Sequence, residues 1–239
     1  MPPSTLAPRT ANPFPRVAGP IHTILVLAIL AAWAFWGKIL ADHLSAAANP
    51  SRVRFYLLTL LFEWFLFLFV VLGVRLSGAS VLPVLGDHWH SSRQVFRDIG
   101  IAAGFWVVSA ALLILLGWLL RIAALGRNMN FILPHGIVEI VIWIALSVTA
   151  GICEETVFRG YLQRQFIFLT NSAPAGILLA AAAFGAAHAY QGFRMVILIA
   201  LYGAMFGVLA HWRASVRPGM IAHAWQDSLS GVLAAIARH

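Results

Sequence analysis

The chain has 239 residues, 61% hydrophobic and only 10% charged, with a mean hydropathy of +0.87. This composition excludes an ordinary soluble domain and indicates an all-α, polytopic transmembrane bundle. The net charge of +8 comes from fifteen arginines and Lys38 against eight acids. The arginines fall one or two to a loop without forming a basic face, which argues against a nucleic-acid partner and fits anchoring at lipid headgroups.

Residues 1–19 are polar and proline-rich, and are expected to be disordered or interfacial. Ile21–Leu40 is the first apolar run. Arg9 and Arg16 before it and Ala46–Ala48 after it give it the look of a signal peptide. About 20 apolar residues is long for such a core, and further spans follow, so it reads as a retained helix. Arg54–Leu76 is the second span, with Glu63 near its middle serving either a polar interior or, as the preferred reading, a helix-packing hydrogen bond. Residues 77–98 form a loop. Asp87, His88 and His90 lie in it, but two histidines at i, i+2 without a further partner read as exposed rather than metal-binding. Arg93–Asp98 reads as an interfacial turn before the third span, Ile99–Leu120.

A second loop covers 121–134. The fourth helix runs from Gly136 to about Leu169, with Glu139 one turn in and the stretch GICEETVFRG at 151–160. Asn171, Ser172 and Pro174 mark a break, with Pro174 suited to a helix start. Ala175–Tyr190 is a helix of small residues. Phe193–Trp212 follows, with Gly203 and Gly207 at small-xxx-small spacing, a packing signature. A turn at Arg217–Gly219 leads to the last helix, Met220–Ile236. Seven spans are expected, within one. A slight excess of basic residues on the side of the N-terminus favours placing that side in the cytoplasm. The chain divides into residues 1–19, the apolar spans of 20–135, and 136–239, where the intramembrane polar groups concentrate.

Those polar groups are costly at membrane depth, where ionisable residues usually face a protein interior or a water-filled cavity and mark function. Glu155 and Arg159 share a helical face at i, i+4, and Glu154 is turned away by about 100°. Phe184 and His188 share a face, as do His223 and Asp227. A carboxylate held out of water suits a general base, and beside a histidine it could deprotonate a water. A second histidine with a hydrogen-bonding neighbour could serve a developing oxyanion. Together these groups suit hydrolysis of an amide. Glu154, His188 and His223 are equally a ligand set of the kind seen in catalytic zinc sites, so metal-free and zinc-assisted water activation both stay open. Each group also has a plainer reading: interhelical hydrogen bonds for the histidines, a core aromatic for Phe184, a cap or a pair with Arg217 for Asp227. Cys153, the only cysteine, excludes an internal disulfide. Beside Glu154 it could be a nucleophile, but its apolar surroundings favour a small filler.

Taken in order, EExxxR (Glu154 to Arg159), FxxxH (Phe184 to His188) and HxxxN/D (His223 to Asp227) resemble the motifs of the CPBP family. These are the CAAX proteases and bacteriocin-processing enzymes, also called ABI proteins, and the resemblance covers roughly Glu139–Ser230. It implies a glutamic-type intramembrane endopeptidase with its catalytic core in 136–239. Carried over, Glu154 and His188 would activate water, His223 and Asp227 would serve the oxyanion, and Glu155, Arg159 and Phe184 would support the site. The third motif ends here in aspartate, which when ionised cannot donate to an oxyanion. Asp227 would have to be protonated, orient and charge His223, or bind metal.

The implied partner is a membrane-associated protein or peptide substrate within the lipid bilayer, and the implied location is the bacterial inner membrane. No cofactor is required by this reading, with zinc the open alternative. Two other functions compete. One is a non-catalytic immunity or scaffold protein binding a peptide through the same polar cluster. The other is a transporter or proton pathway using Glu63, Glu139, Glu154 and Glu155. The lack of an inverted repeat and the apolar first half disfavour the latter.

Overall fold

The computed structural model describes residues 15–47, 51–119 and 131–237. Among the described residues all regular structure is helical. The elements are α1 (Pro20–Ala46), α2 (Arg52–Leu76), α3 (Ser92–Leu119), α4 (Ile137–Glu154), α5 (Gln163–Thr170), α6 (Ala173–Ala187), α7 (Phe193–Arg213) and α8 (Arg217–Ile236). Between α4 and α5 the backbone stays helical through a π-helical stretch, Glu155–Leu162. Ile137–Thr170 is therefore one rod of 34 residues, and the described chain makes seven rods.

Five of these rods have the length and apolar composition to cross a membrane: α1, α2, α3, the 137–170 rod and α7. The protein is an integral membrane protein, but the expected seven spans resolve into seven helices with five clear spans. With 15 residues, α6 reaches only about 22 Å, short of a hydrocarbon core of about 30 Å. α8 has 20 residues but includes Arg217, His223 and Asp227.

Prolines stand in the first turns of α1, α6 and α8, where a missing N–H costs nothing. Ser172 caps α6, its hydroxyl accepting from the Ala175 N–H at 3.3 Å. Asn171, left-handed at φ 52°, ends the preceding rod. The third helix begins at Ser92 and takes in 93–98, which is not an interfacial turn. The Asp98 side chain, 1% exposed, explains this. It faces Arg97, Arg213 and Arg217 at 3.7, 3.6 and 3.3 Å and accepts from Trp89 Nε1 at 3.0 Å. That cluster draws the polar segment into the helix and ties it to α7 and α8.

In a bilayer, close packing rather than water exclusion holds helices together, and small residues permit it. The most extensive pairings are α6 with α7 and α4 with α8. At Gly185 a Cβ would lie 2.6 Å from Val196 O, and at Gly151 one would lie 2.7 Å from Met220 O. Val26, Leu66, Val70, Phe158, Tyr161 and Phe184 form the main core. Ile24, Leu61, Leu68, Ile114, Trp118 and Val141 stay exposed on the outer faces, as lipid contact requires.

One end of the bundle gathers the start of α1, the loop after α2 and the α7–α8 turn. There the Gly19 N–H donates to Ser77 Oγ at 3.3 Å and the Ser215 hydroxyl donates to Gly86 O at 3.0 Å. The Val84 carbonyl occupies the place a side chain would need at Gly160, so the loop sits directly on the π-helical stretch. Of the segment expected to be disordered or interfacial, residues 1–14 lie outside the described chain. Its end is held in the core: the N–H groups of Val17 and Ala18 donate to Gln165 Oε1 at 3.2 and 3.3 Å, and Gln165 Nε2 donates back to Ala18 O at 2.8 Å. Of the loop at 121–134, residues 121–130 also lie outside the described chain.

Candidate active site

The π-helical stretch contains most of the first motif. Such stretches bond i to i+5 and are frequent at functional sites. Glu155 and Arg159 are both almost fully buried, with Arg159 Nη1 donating to Glu155 Oε1 at 2.8 Å. A buried pair is tolerable only when its remaining groups are satisfied. Here Arg159 Nη2 donates to Gly203 O at 3.1 Å, and the guanidinium lies 4.3 Å from the Phe184 ring centre and 5.1 Å from that of Phe206, within cation–π range. Four residues further on, Gln163 Nε2 donates to Gly207 O at 3.0 Å. The two glycines of the small-xxx-small pattern thus expose carbonyls to two polar side chains of the neighbouring rod.

Glu155 also fixes a histidine. Its Oε1 lies 3.1 Å from His223 Nδ1, so an ionised Glu155 takes the Nδ1–H and leaves Nε2 facing away from it. That Nε2 is 3.5 Å from Glu154 Oε2 and 3.6 Å from Asp227 Oδ2. Glu154 Oε1 is 3.9 Å from His188 Nε2. His188 does not lie within a helix but forms the C-cap of α6, with Nδ1 2.9 Å from Phe184 O. That carbonyl can only accept, so Nδ1 carries the proton and the Nε2 lone pair points toward Glu154. Phe184 packs between the parts, 4.8 Å from the His188 ring and 6.1 Å from that of His223.

All seven residues singled out from the three motifs therefore meet. Glu154, His188, His223 and Asp227 face a cavity of about 400 Å³, otherwise lined mainly by apolar side chains such as Trp33, Phe55, Leu133 and Leu198. Glu155 and Arg159 lie beneath this floor. Among the described residues no three His, Cys, Asp or Glu side chains are grouped so as to hold a metal ion.

Glu63 follows the polar-interior reading rather than the preferred one. Rather than serving helix packing alone, it lines the same cavity from α2 and meets the Glu154 carboxyl side chain to side chain. Its separation of 91 residues from Glu154 in the chain gave no signal of this. Trp143 was also missed; its Nε1 donates to the backbone carbonyl of Asp227 at 2.8 Å and steadies α8 against α4. Glu139 caps the start of α4 instead, accepting from the His135 N–H at 2.8 Å. Arg217 pairs with Asp98, not Asp227. Cys153 is fully buried and outside the cavity lining, in keeping with a filler. His88 and His90 are exposed.

Residues 134–229 match the family model described as type II CAAX prenyl endopeptidase Rce1-like. No curated protein and no solved structure matches the chain. The matched segment contains every residue of the three motifs and all four polar side chains of the cavity floor that come from them. Residues 134–229 are thus similar to the Rce1-like family, in agreement with the CAAX protease family that the motifs resemble.

Proposed function

We propose that the protein is an intramembrane endopeptidase that hydrolyses a peptide bond of a membrane-associated protein or peptide with a water activated by Glu154 and His188. One observation carries this reading. Glu154 Oε1 and His188 Nε2 are two acceptors 3.9 Å apart, too far for a direct hydrogen bond and within the span of a bridging water. A water donating to both has its lone pairs free for a carbonyl carbon. As it attacks, its proton passes to Glu154, which then delivers it to the leaving amine.

The oxyanion side falls to His223. Its Nδ1–H is engaged by Glu155, so donation from Nε2 requires a doubly protonated ring. Glu154, Glu155 and Asp227, all within 3.6 Å of ring nitrogens, supply the counter-charge. Asp227 then acts by holding and charging His223 rather than by donating itself. The apolar cavity walls suit a membrane-embedded segment, and the CAAX substrate in the family's description makes a lipid-proximal C-terminal peptide the first to try.

The test uses the full chain in detergent with quenched peptides, with and without a lipidated cysteine near the C-terminus. Glu154→Gln and His188→Ala should each lower cleavage by about 10²-fold to 10⁴-fold, while circular dichroism and thermal unfolding stay near wild type. Wild-type cleavage by either variant would refute the assignment. A peptide that binds but is never cut by the wild-type chain would favour the non-catalytic binding protein.

A further inference from the structure

A second cavity, of about 490 Å³, lies at the end of the bundle that holds the start of α1. Its wall combines Arg16, Arg164 and Arg159 with His211, and no aspartate or glutamate lines it. Arg159 is matched by Glu155. Arg16 and Arg164 form no ion pair among the described residues, although the Arg16 Nε–H donates to Ala18 O at 2.7 Å. Arg164 is half-buried, and a guanidinium partly withdrawn from water without a counter-charge is costly. The remaining wall is mixed. Val17, Pro83 and Ile167 are apolar. Gln163, 3% exposed, adds a polar side chain whose Nε2 is engaged by Gly207 O.

We infer that this cavity binds the phosphate headgroup of an anionic phospholipid, with Arg16 and Arg164 on the phosphate. Two cations without acids select an anion, and guanidinium groups match phosphate oxygens in geometry. The cavity lies among the segments at one end of the bundle, beyond the apolar spans, and arginines at the ends of membrane spans attract anionic lipid. Its apolar wall fits the start of an acyl chain, which a free phosphate would leave uncovered. The site is separate from the Glu154 cavity and does not depend on the protein being a peptidase.

The experiment reads lipid retention by native mass spectrometry. The full chain is exchanged into a detergent containing equal amounts of phosphatidylglycerol and phosphatidylcholine. Wild type should retain phosphatidylglycerol preferentially. Arg16→Gln with Arg164→Gln should cut the preference about 25-fold, roughly fivefold for each arginine. Arg164→Lys alone should keep most of it, and Arg93→Gln, at an exposed arginine outside the cavity, should leave it unchanged. Circular dichroism of each variant checks folding. Equal retention of both lipids by wild type, survival of the preference in the double variant, or an equal loss in Arg93→Gln would overturn the inference. A parallel arm adds inorganic phosphate at millimolar concentration. A thermal shift with phosphate, lost in the double variant and without lipid preference, would assign the cavity to free phosphate and overturn the lipid reading.

Discussion

Replacing Arg159 with methionine would leave the Glu155 carboxylate at 0% exposure without its principal partner. Methionine keeps roughly the length of the side chain while removing the charge, the bond to Gly203 O and the contacts with the Phe184 and Phe206 rings. Stranding a buried charge costs about 3–5 kcal/mol, and the lost ring contacts add about 2 kcal/mol. His223 remains beside Glu155 at 3.1 Å and offsets part of this, so a net loss of about 5 kcal/mol is expected. Adding Glu155→Gln removes the stranded charge and keeps an oxygen for His223 Nδ1–H. The double variant should therefore recover about 3 kcal/mol, a coupling that independent sites do not show. The assay is reversible unfolding in mixed micelles with increasing sodium dodecyl sulfate, followed by tryptophan fluorescence and circular dichroism. A loss below about 1 kcal/mol in Arg159→Met, or a double variant no more stable than the single, would refute the view that this pair braces the site.

Three further substitutions test other parts of the structure. Gly203→Ala puts a Cβ 2.9 Å from Phe184 Cδ1 and 3.3 Å from Arg159 Nη2; a loss of about 1–3 kcal/mol is expected, with reduced cleavage, and a variant as stable and active as wild type would show that α6 and α7 have slack. Asp98→Ala removes the acid common to Arg97, Arg213 and Arg217, and should lower stability by about 3–5 kcal/mol; an unchanged unfolding midpoint would mean the cluster does not tie α3 to α8. Asp227→Asn and Asp227→Ala should slow cleavage by a similar factor, about 10²-fold, because both remove one of the three carboxylates that hold and charge His223; a wild-type rate in Asp227→Asn alone would show that this position donates a hydrogen bond instead.

Much of the bundle could be read from the chain because a membrane allows few solutions. Apolar runs with prolines at their starts and Asn171 at a break marked five of the seven helices to within a few residues, and the first was ended at Leu40 although it runs to Ala46. The third was set too short, because 93–98 is polar and only the tertiary cluster on Asp98 makes it helical. The motif residues were legible for a similar reason: charges in apolar helices need partners, and their order along the chain is characteristic. What local pattern could not reveal was pairing across the fold. Glu63 meeting Glu154, Trp143 reaching the Asp227 carbonyl, and Gln165 gripping Val17 and Ala18 all join distant segments. The π-helical stretch was invisible too, since Glu155 and Arg159 are four residues apart whether the backbone is α or π.

That stretch has a consequence for how the chain tolerates change. Each π turn takes up one residue more than an α turn, so 155–162 sets the phase between the two halves of the rod. Upstream, Trp143, Ser147, Ala150 and Glu154 look into the cavity. Downstream, Arg159 and Gln163 look toward α7. Straightening the stretch to α geometry at constant length would turn one half against the other by about 100° for each extra residue it holds. Either the cavity face or the α7 face would then point at lipid. The phase between the two faces therefore rests on the extra residue that 155–162 holds, in a segment buried along its whole length.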